Sequence, residues 1–466
     1  MVQIDVLPDD VLLEIFDFYI MMVVDLFIGA KRETEAWQTL VHVCRQWRYL
    51  VFGSPRRLNL QLYCTPESLA RDILDIWPAL PLISQGSLLS TDTDNVIAAL
   101  GQRNRVSQVS LGLKLYGQQL EEVLAPMQVS FPELTYLQLW SNGETPPVIP
   151  DSFLGGSAPR LRILFLHSIS FPGLPKLLLS ATHLVDLRLW GIPHSGYFSP
   201  ETIVTSLSVL SSIETLYLLF LSPQSRPDWG SRRPPPSKRS VLPALDEFYF
   251  KGVVEYLEEL VSRIDTPQLR NANITFFNQI DFDCPRLTQF INCTPALRGR
   301  DEAHVQFNHS FANFTLRHRT SQSNYNDLRI NISCKEQDWQ LSSIEQVCNS
   351  LSPLSWVEDL YIEHRYSELI WKDDAIENAL WLGLLRPFIM VKNLYLSKQF
   401  APGIAAALQE LVGGSITEVL PSLQNIFMEG LKPSRSFQEK IKQLSVSRRL
   451  SDHPIVISVW DNNSNI

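Results

Sequence analysis

Nucleophile and base residue types are present in this chain, but they are scattered. The closest approach of a thiol to an imidazole in sequence is His42 with Cys44. On a single helix two such side chains diverge by about 200°, since each residue turns the chain by roughly 100°, so Cys44 reads as a packing residue. The six cysteines (Cys44, Cys64, Cys284, Cys293, Cys334 and Cys348) contain no Cys-x-x-Cys pair, and the nine histidines form no ligand-spaced cluster. Neither a zinc site nor a disulfide framework follows, and a reducing compartment fits best. The acidic doublets Glu258-Glu259 and Asp373-Asp374 are expected on solvated faces. No nucleophile elbow, His-Glu-x-x-His pair, Walker loop, Gly-x-Gly-x-x-Gly turn or kinase set occurs. The expectation is a chain without catalytic residues, metal or cofactor that acts by binding.

The residue patterns suited to binding begin at the N-terminal end. In Val6-Leu7-Pro8-Asp9-Asp10 the proline fixes φ and the two acids suit the positive end of a helix dipole, so a helix should open near Pro8. Val11, Leu12, Ile15 and Phe16 then recur at helical spacing. Val43, Cys44, Trp47 and Leu50 do the same on a second helix, with Arg45, Gln46 and Arg48 toward water. So short a module cannot bury these apolar faces against itself alone, so another surface must cover them.

Leu7-Pro8, Ile15-Phe16 and Val43-Cys44-Arg45-x-Trp47-Arg48 resemble the F-box, a helical module that docks on the Skp-type adaptor of cullin-based ubiquitin ligases. The resemblance implies an adaptor-facing surface of Leu7, Pro8, Leu12, Ile15, Phe16, Val43, Cys44 and Trp47. The stretch from Phe18 to Thr34 departs from the pattern, being longer and more apolar than the usual connection.

Composition sets bounds. With 466 residues, 45% hydrophobic and 19% charged, the chain is ordinary globular material. A formal charge of −9 weighs against nucleic-acid binding, which needs a basic face. Asp5, Asp9 and Asp10 stand where a secretory signal would carry Lys or Arg, and Glu14, Asp17 and Asp25 interrupt the apolar stretch that follows. Neither a signal peptide nor a membrane span is expected, which places the chain in the cytoplasm or nucleus. The Asn-x-Ser/Thr sequons beginning at Asn273, Asn292, Asn308, Asn313, Asn331 and Asn462 then read as unused polar turns.

Beyond the head, a phrase apolar-x-x-apolar-x-apolar recurs. Clear copies are Val106/Val109/Leu111, Leu134/Leu137/Leu139, Leu161/Leu164/Leu166, Leu184/Leu187/Leu189, Ile213/Leu216/Leu218 and Leu245/Phe248/Phe250. Weaker copies stand at Leu269/Ala272/Ile274 and Tyr325/Leu328/Ile330, and clear ones return at Val357/Leu360/Ile362, Val391/Leu394/Leu396 and Leu423/Ile426/Met428. Successive copies through Leu269, and again from Tyr325 on, start 23 (161 to 184) to 34 (357 to 391) residues apart, the spacing of irregular leucine-rich repeats, in which each strand returns through a helix or irregular crossover. Glu201 to Leu210 and Ala401 to Val412 have helical spacing and suit such crossovers. The expected fold class is α/β: an N-terminal helical F-box followed by an irregular leucine-rich-repeat solenoid, with parallel strands on the concave side. The expected domains are 1–60 (F-box), 61–104 (connecting or capping) and 105–466 (solenoid). The stretch from Phe276 to Thr320 breaks the rhythm, and 222–243, proline-rich and basic, reads as a loop inserted between repeats.

Trp77-Pro78-Ala79-Leu80-Pro81-Leu82, Asp94 to Leu100 and Asp301-Glu302-Ala303-His304-Val305-x-Phe307 are similar to phrases of a large F-box/leucine-rich-repeat family of mushroom-forming fungi. That resemblance supports the architecture and says little about targets.

Period two along each strand singles out the residues that would line the concave face. Between the paired apolar residues lie Gln138, Phe165, Arg188, Tyr217, Tyr249, Tyr361, Tyr395 and Phe427; the next outward position adds Trp140, His167, Trp190 and Lys251. Aromatic residues offer large contact area at low entropic cost, as recognition of a protein target requires. The same residues would also form a mere ladder of like side chains, or lie under a tail such as Ile455 to Trp460. The expected function is that of a non-catalytic substrate-recognition subunit of an SCF-type ligase, bound to the Skp adaptor and through it to the cullin. The alternatives are a scaffold of the same architecture acting outside ubiquitination and, from another class, a repeat enzyme or small-ligand receptor.

Overall fold

A computed structural model describes residues 7–26, 30–66, 74–88, 93–115, 117–227, 238–279, 281–319, 327–364, 378–411, 418–430, 443, 446 and 454–460. The chain divides into two compact units, Met1–Tyr197 and Phe198–Ile466.

The first unit opens with three helices, α1 (Asp9–Leu26), α2 (Ala30–Val43) and α3 (Arg45–Gly53). The Pro8 carbonyl accepts from the Val11 and Leu12 amides at 3.0 and 3.1 Å, so the helix begins where the Leu-Pro step predicts. The expected second helix is in fact two. Cys44 stands between them, and its Sγ accepts from the Trp47 amide at 3.4 Å, capping α3. Leu12, Leu13 and Phe16 turn inward with Val41, Leu50 and Val51, and Phe16 packs on Trp47 at 4.7 Å between ring centroids. Trp37 meets Trp77 at 5.1 Å and donates from its indole to the Gln61 carbonyl at 3.3 Å, which ties the helices to the start of the sheet.

That sheet comprises β1 (Leu62–Cys64), β2 (Leu82–Leu88), β3 (Val106–Leu113), β4 (Tyr136–Trp140), β5 (Ile163–His167) and β6 (Asp186–Ile192). All are parallel and in sequence order. Crossovers run through α4 (Thr93–Leu100), α5 (Gln118–Leu124), 3₁₀ turns and α6 (Leu174–Leu178). Leu137, Leu139, Leu164, Leu166, Leu187 and Leu189 are buried. They are the repeat phrase, facing the crossovers. The sheet begins at Leu62, where Leu62 and Leu82 pair in register and are buried.

The second unit contains β7 (Thr215–Phe220), β8 (Ser240–Val241), β9 (Glu247–Gly252), β10 (Ile264–Asp265), β11 (Asn271–Phe276), β12 (Glu302–Phe307), β13 (Phe311–Arg317), β14 (Leu328–Ser333), β15 (Asp359–His364), β16 (Asn393–Leu396), β17 (Asn425–Glu429) and β18 (Val456–Trp460). Its helices are α7 (Pro200–Leu207), α8 (Val254–Val261), α9 (Pro285–Cys293), α10 (Gln337–Ser350), α11 (Asn378–Leu385) and α12 (Ala401–Glu410). The main sheet runs β7-β9-β11-β14-β13-β12-β15-β16-β17-β18, parallel except for β13, which is antiparallel to both neighbours. The broken rhythm after Phe276 is therefore α9 followed by a hairpin. Asn308 Oδ1 accepts from the Ser310 and Phe311 amides at 2.8 and 2.9 Å and closes its turn. The proline-rich stretch is described only at its two ends, and at the later one β8 pairs with β10.

Candidate functional site

On each sheet the buried phrase residues face the crossovers, and the residues between them form a second, partly exposed face. In the first unit that face carries two registered rows. Ser110, Gln138, Phe165 and Arg188 form one; Gly112, Trp140, His167 and Trp190 form the other. Gln138 is engaged by Tyr136, whose hydroxyl donates to it at 2.5 Å, and Arg188 by Asp186 on its own strand at 2.8 Å. Phe165 meets Trp190 edge to face at 5.7 Å, and Trp190 remains exposed. Trp140 lies over Gly112 so closely that a Cβ there would sit 2.7 Å from the indole, so any larger residue would have to displace the ring.

In the second unit the expected aromatic positions form two stacks. Tyr217 and Tyr249 lie 4.0 Å apart and 9° from parallel. The other stack runs His304, Tyr361, Tyr395 and Phe427, with centroid spacings of 4.3, 4.1 and 4.5 Å. Between the two lie the polar residues Asn273, Arg329 and Thr315, in the same register. The expected column is thus interrupted where the hairpin enters. The spacings are close to the strand repeat, so ring faces are occupied by neighbours; the Tyr249 hydroxyl accepts from Asn271 at 3.1 Å, and Trp460 meets the edges of Tyr361 and Tyr395.

His304 joins the row although its position was not singled out for binding. It is buried, with Nε2 at 2.5 Å from Glu302 and Nδ1 at 3.4 Å from Glu363. Arg317 reaches the same Glu302 oxygen at 2.6 Å, and Gln306 donates to Glu363 at 2.8 Å. Burial alone would lower the imidazole pKa; the hydrogen bonds to Glu302 and Glu363 outweigh it and raise the value. Burial likewise opposes ionisation of Glu302 and Glu363, and contact with His304 overrides it, so both are lowered. The alternation Glu302-x-His304-x-Gln306 around Ala303, Val305 and Phe307 was the available signal. Toward the strand starts, Asn425 donates to Asn393 at 2.8 Å and Asn393 to Asp359 at 2.6 Å. Three of the sequon asparagines form another ladder, Asn313 donating to Asn331 at 2.6 Å and Asn331 to Asn273 at 3.0 Å.

In the head, the residues matched to an adaptor surface divide. Leu12 and Phe16 are buried in its own core, while Leu7, Cys44 and Trp47 are half-buried. Pro8, Ile15 (47%) and Val43 (56%) are exposed, and Val11, Phe18 (66%) and Tyr19 extend the exposed apolar set on α1. The reason is helical geometry: α1 has an inner stripe at Leu12, Leu13 and Phe16 and an outer one at Val11, Ile15, Phe18 and Tyr19.

Glu258 and Glu259 are buried, contrary to the expectation of a solvated face. Glu258 accepts from the Arg286 and Leu287 amides at 2.9 and 2.8 Å, capping α9, and Glu259 binds Arg263 and Arg286. Glu259 is paired with two guanidiniums, whereas burial raises the Glu258 pKa in spite of the two amide hydrogen bonds that lower it. Asp373 and Asp374 lie outside the described residues. Among the described residues no group of three or more His, Cys, Asp or Glu is arranged to hold a metal, and no helix is long and apolar enough to cross a membrane.

The sequence matches no described family profile and no curated relative. Among solved structures, the leucine-rich repeat-containing protein LegL7 from Legionella pneumophila aligns over 78% of this chain and 98% of its own, at 14% identity and a TM-score of 0.29. A likeness of that degree is too loose to transfer anything.

Proposed function

We propose that the chain is a non-catalytic recognition subunit of an SCF-type cullin ubiquitin ligase, with the N-terminal helices holding a Skp-type adaptor and the strand faces holding a protein target. The observation that carries the reading is the exposed apolar set Val11, Ile15, Phe18, Tyr19 and Val43 on helices whose inner stripe is already buried. Burial of each such residue on a partner is worth roughly 1.5–3 kcal/mol before association costs. The chain's contribution to the reaction is then proximity, since a tethered target presents its lysines at high effective concentration. No cofactor is needed for that role, and residence in the cytoplasm or nucleus suits it.

The test is co-purification of the full chain with a fungal Skp-type adaptor, beside Ile15→Asp and Val43→Asp. Both sites are exposed, so the variants should keep the wild-type circular dichroism and lose capture. A folded wild type that captures no adaptor removes the ligase reading and leaves a repeat protein that binds by its strand faces.

A further inference from the structure

The final strand, β18, is attached differently from the strands inside its sheet. Among the described strands it pairs only with β17, in parallel, from Asn425 opposite Val456 to Glu429 opposite Trp460. The Val456 amide donates to the Gln424 carbonyl at 2.8 Å, and the Trp460 carbonyl accepts from Gly430 at 3.1 Å. On the helix side, Met428 of β17 is buried, yet Val459, its registered neighbour, is 64% exposed. Val456 on the other face is 60% exposed. An inner strand is held by two ladders and a covered back; among the described residues β18 has one ladder, and its back is half-buried at Ile457 and exposed at Val459.

Ile455, just ahead of the strand, is buried, and on the strand face Trp460 adds a further hold. The indole lies edge-on to Tyr395 at 5.4 Å and 71°, and to Tyr361 at 5.8 Å and 64°. Those tyrosines stand on β16 and β15, so the ring reaches back past β17 to meet the stack at the ring edges its neighbours leave open. An aromatic side chain on an added strand is thus the chemistry this edge accepts, in the manner of β-strand addition, where backbone pairing supplies affinity and side-chain pockets supply specificity.

We infer that the β17 edge together with the Tyr361, Tyr395 and Phe427 stack is a binding site for an extended peptide segment carrying an aromatic side chain, and that Val456–Trp460 is its internal occupant. The inference rests on the strand-face half of the proposed function and not on the adaptor half. A partner strand competes with β18, so its apparent affinity is reduced by the fraction of chains in which the edge is open.

The probe is a fluorescein-labelled peptide of residues 454–460, followed by polarisation with the full-length chain. Val456→Pro removes the donor to Gln424 and unseats β18. It should tighten binding of the peptide at least about tenfold over wild type. The gain should vanish when the peptide carries alanine at the Trp460 position, or when Tyr395→Ala is added to the chain. A folded Val456→Pro chain that binds no tighter, or equally well without the tryptophan, overturns the inference. So does concentration-dependent dimerisation of the wild type that Val456→Pro abolishes, which would assign the edge to a second copy. Hydrogen exchange on the unaltered chain gives a readout independent of the variant's folding: saturating unlabelled peptide should deprotect residues 455–460 while β16 stays protected, and unchanged protection refutes displacement. Adaptor capture should be indifferent to Val456→Pro, so the two readings can fail separately.

Discussion

Replacing His304 by glutamine should destabilise the second unit by about 2–3 kcal/mol in mildly acidic solution, and by less above neutrality. The imidazole lies between Glu302 and Glu363, against Tyr361 of β15 and beside Thr315 and Arg317 of β13. Removing one partner of a buried ion pair costs about 3–5 kcal/mol. Arg317 stays on Glu302 and glutamine restores a donor worth about 1 kcal/mol, which sets the lower figure. The pH dependence follows from the directions of the shifts. His304 is raised above its ordinary 6.5, so its contribution is complete below that value and is lost as pH rises through the folded value. Glu302 and Glu363 are lowered from 4.5, so theirs is present above that value and lost as pH falls through their folded values. The gap between wild type and His304→Gln should therefore be widest between the ordinary carboxylate and imidazole values. Urea unfolding across a pH series, with hydrogen exchange over residues 302–317, measures it. A gap that stays constant from about pH 5 to 8, or is absent at the acid end, refutes a charged imidazole held by two carboxylates.

Three further outcomes are expected. Phe16→Ala should destabilise the head by about 3–5 kcal/mol, while Ile15→Ala stays within about 0.5 kcal/mol, measured by the rate of limited proteolysis of α1 to α3. Gly112→Ala should displace Trp140 and cost about 1–3 kcal/mol, with a changed near-ultraviolet indole band as the sign that the ring has moved. In the native protein a thiol reagent should modify exposed Cys293 first and leave Cys64, Cys284 and Cys348 untouched until unfolding. Burial pushes all three of these thiols up, that of Cys64 to about 11.

The sequence by itself determined the strands of the repeat phrase, because a residue facing a crossover must be apolar and its neighbours along the strand need not be. Leu137 and Leu139, or Leu394 and Leu396, announce their strand without knowledge of what lies beside it. It also determined where α1 starts, since the Leu-Pro step acts on local backbone geometry. The sequence did not reveal which of the two apolar stripes on α1 faces inward; Phe16 and Ile15 are equally apolar, and only the placement of α2 and α3 separates them. Nor did it reveal that His304 and Glu363, 59 residues apart, meet. That contact exists because the chain carries β12 past two strand positions and returns through an antiparallel β13. Strand order is a choice among long-range pairings, so no local pattern encodes it, and the same choice broke the aromatic row in two and set Trp460 against the tyrosines of β15 and β16.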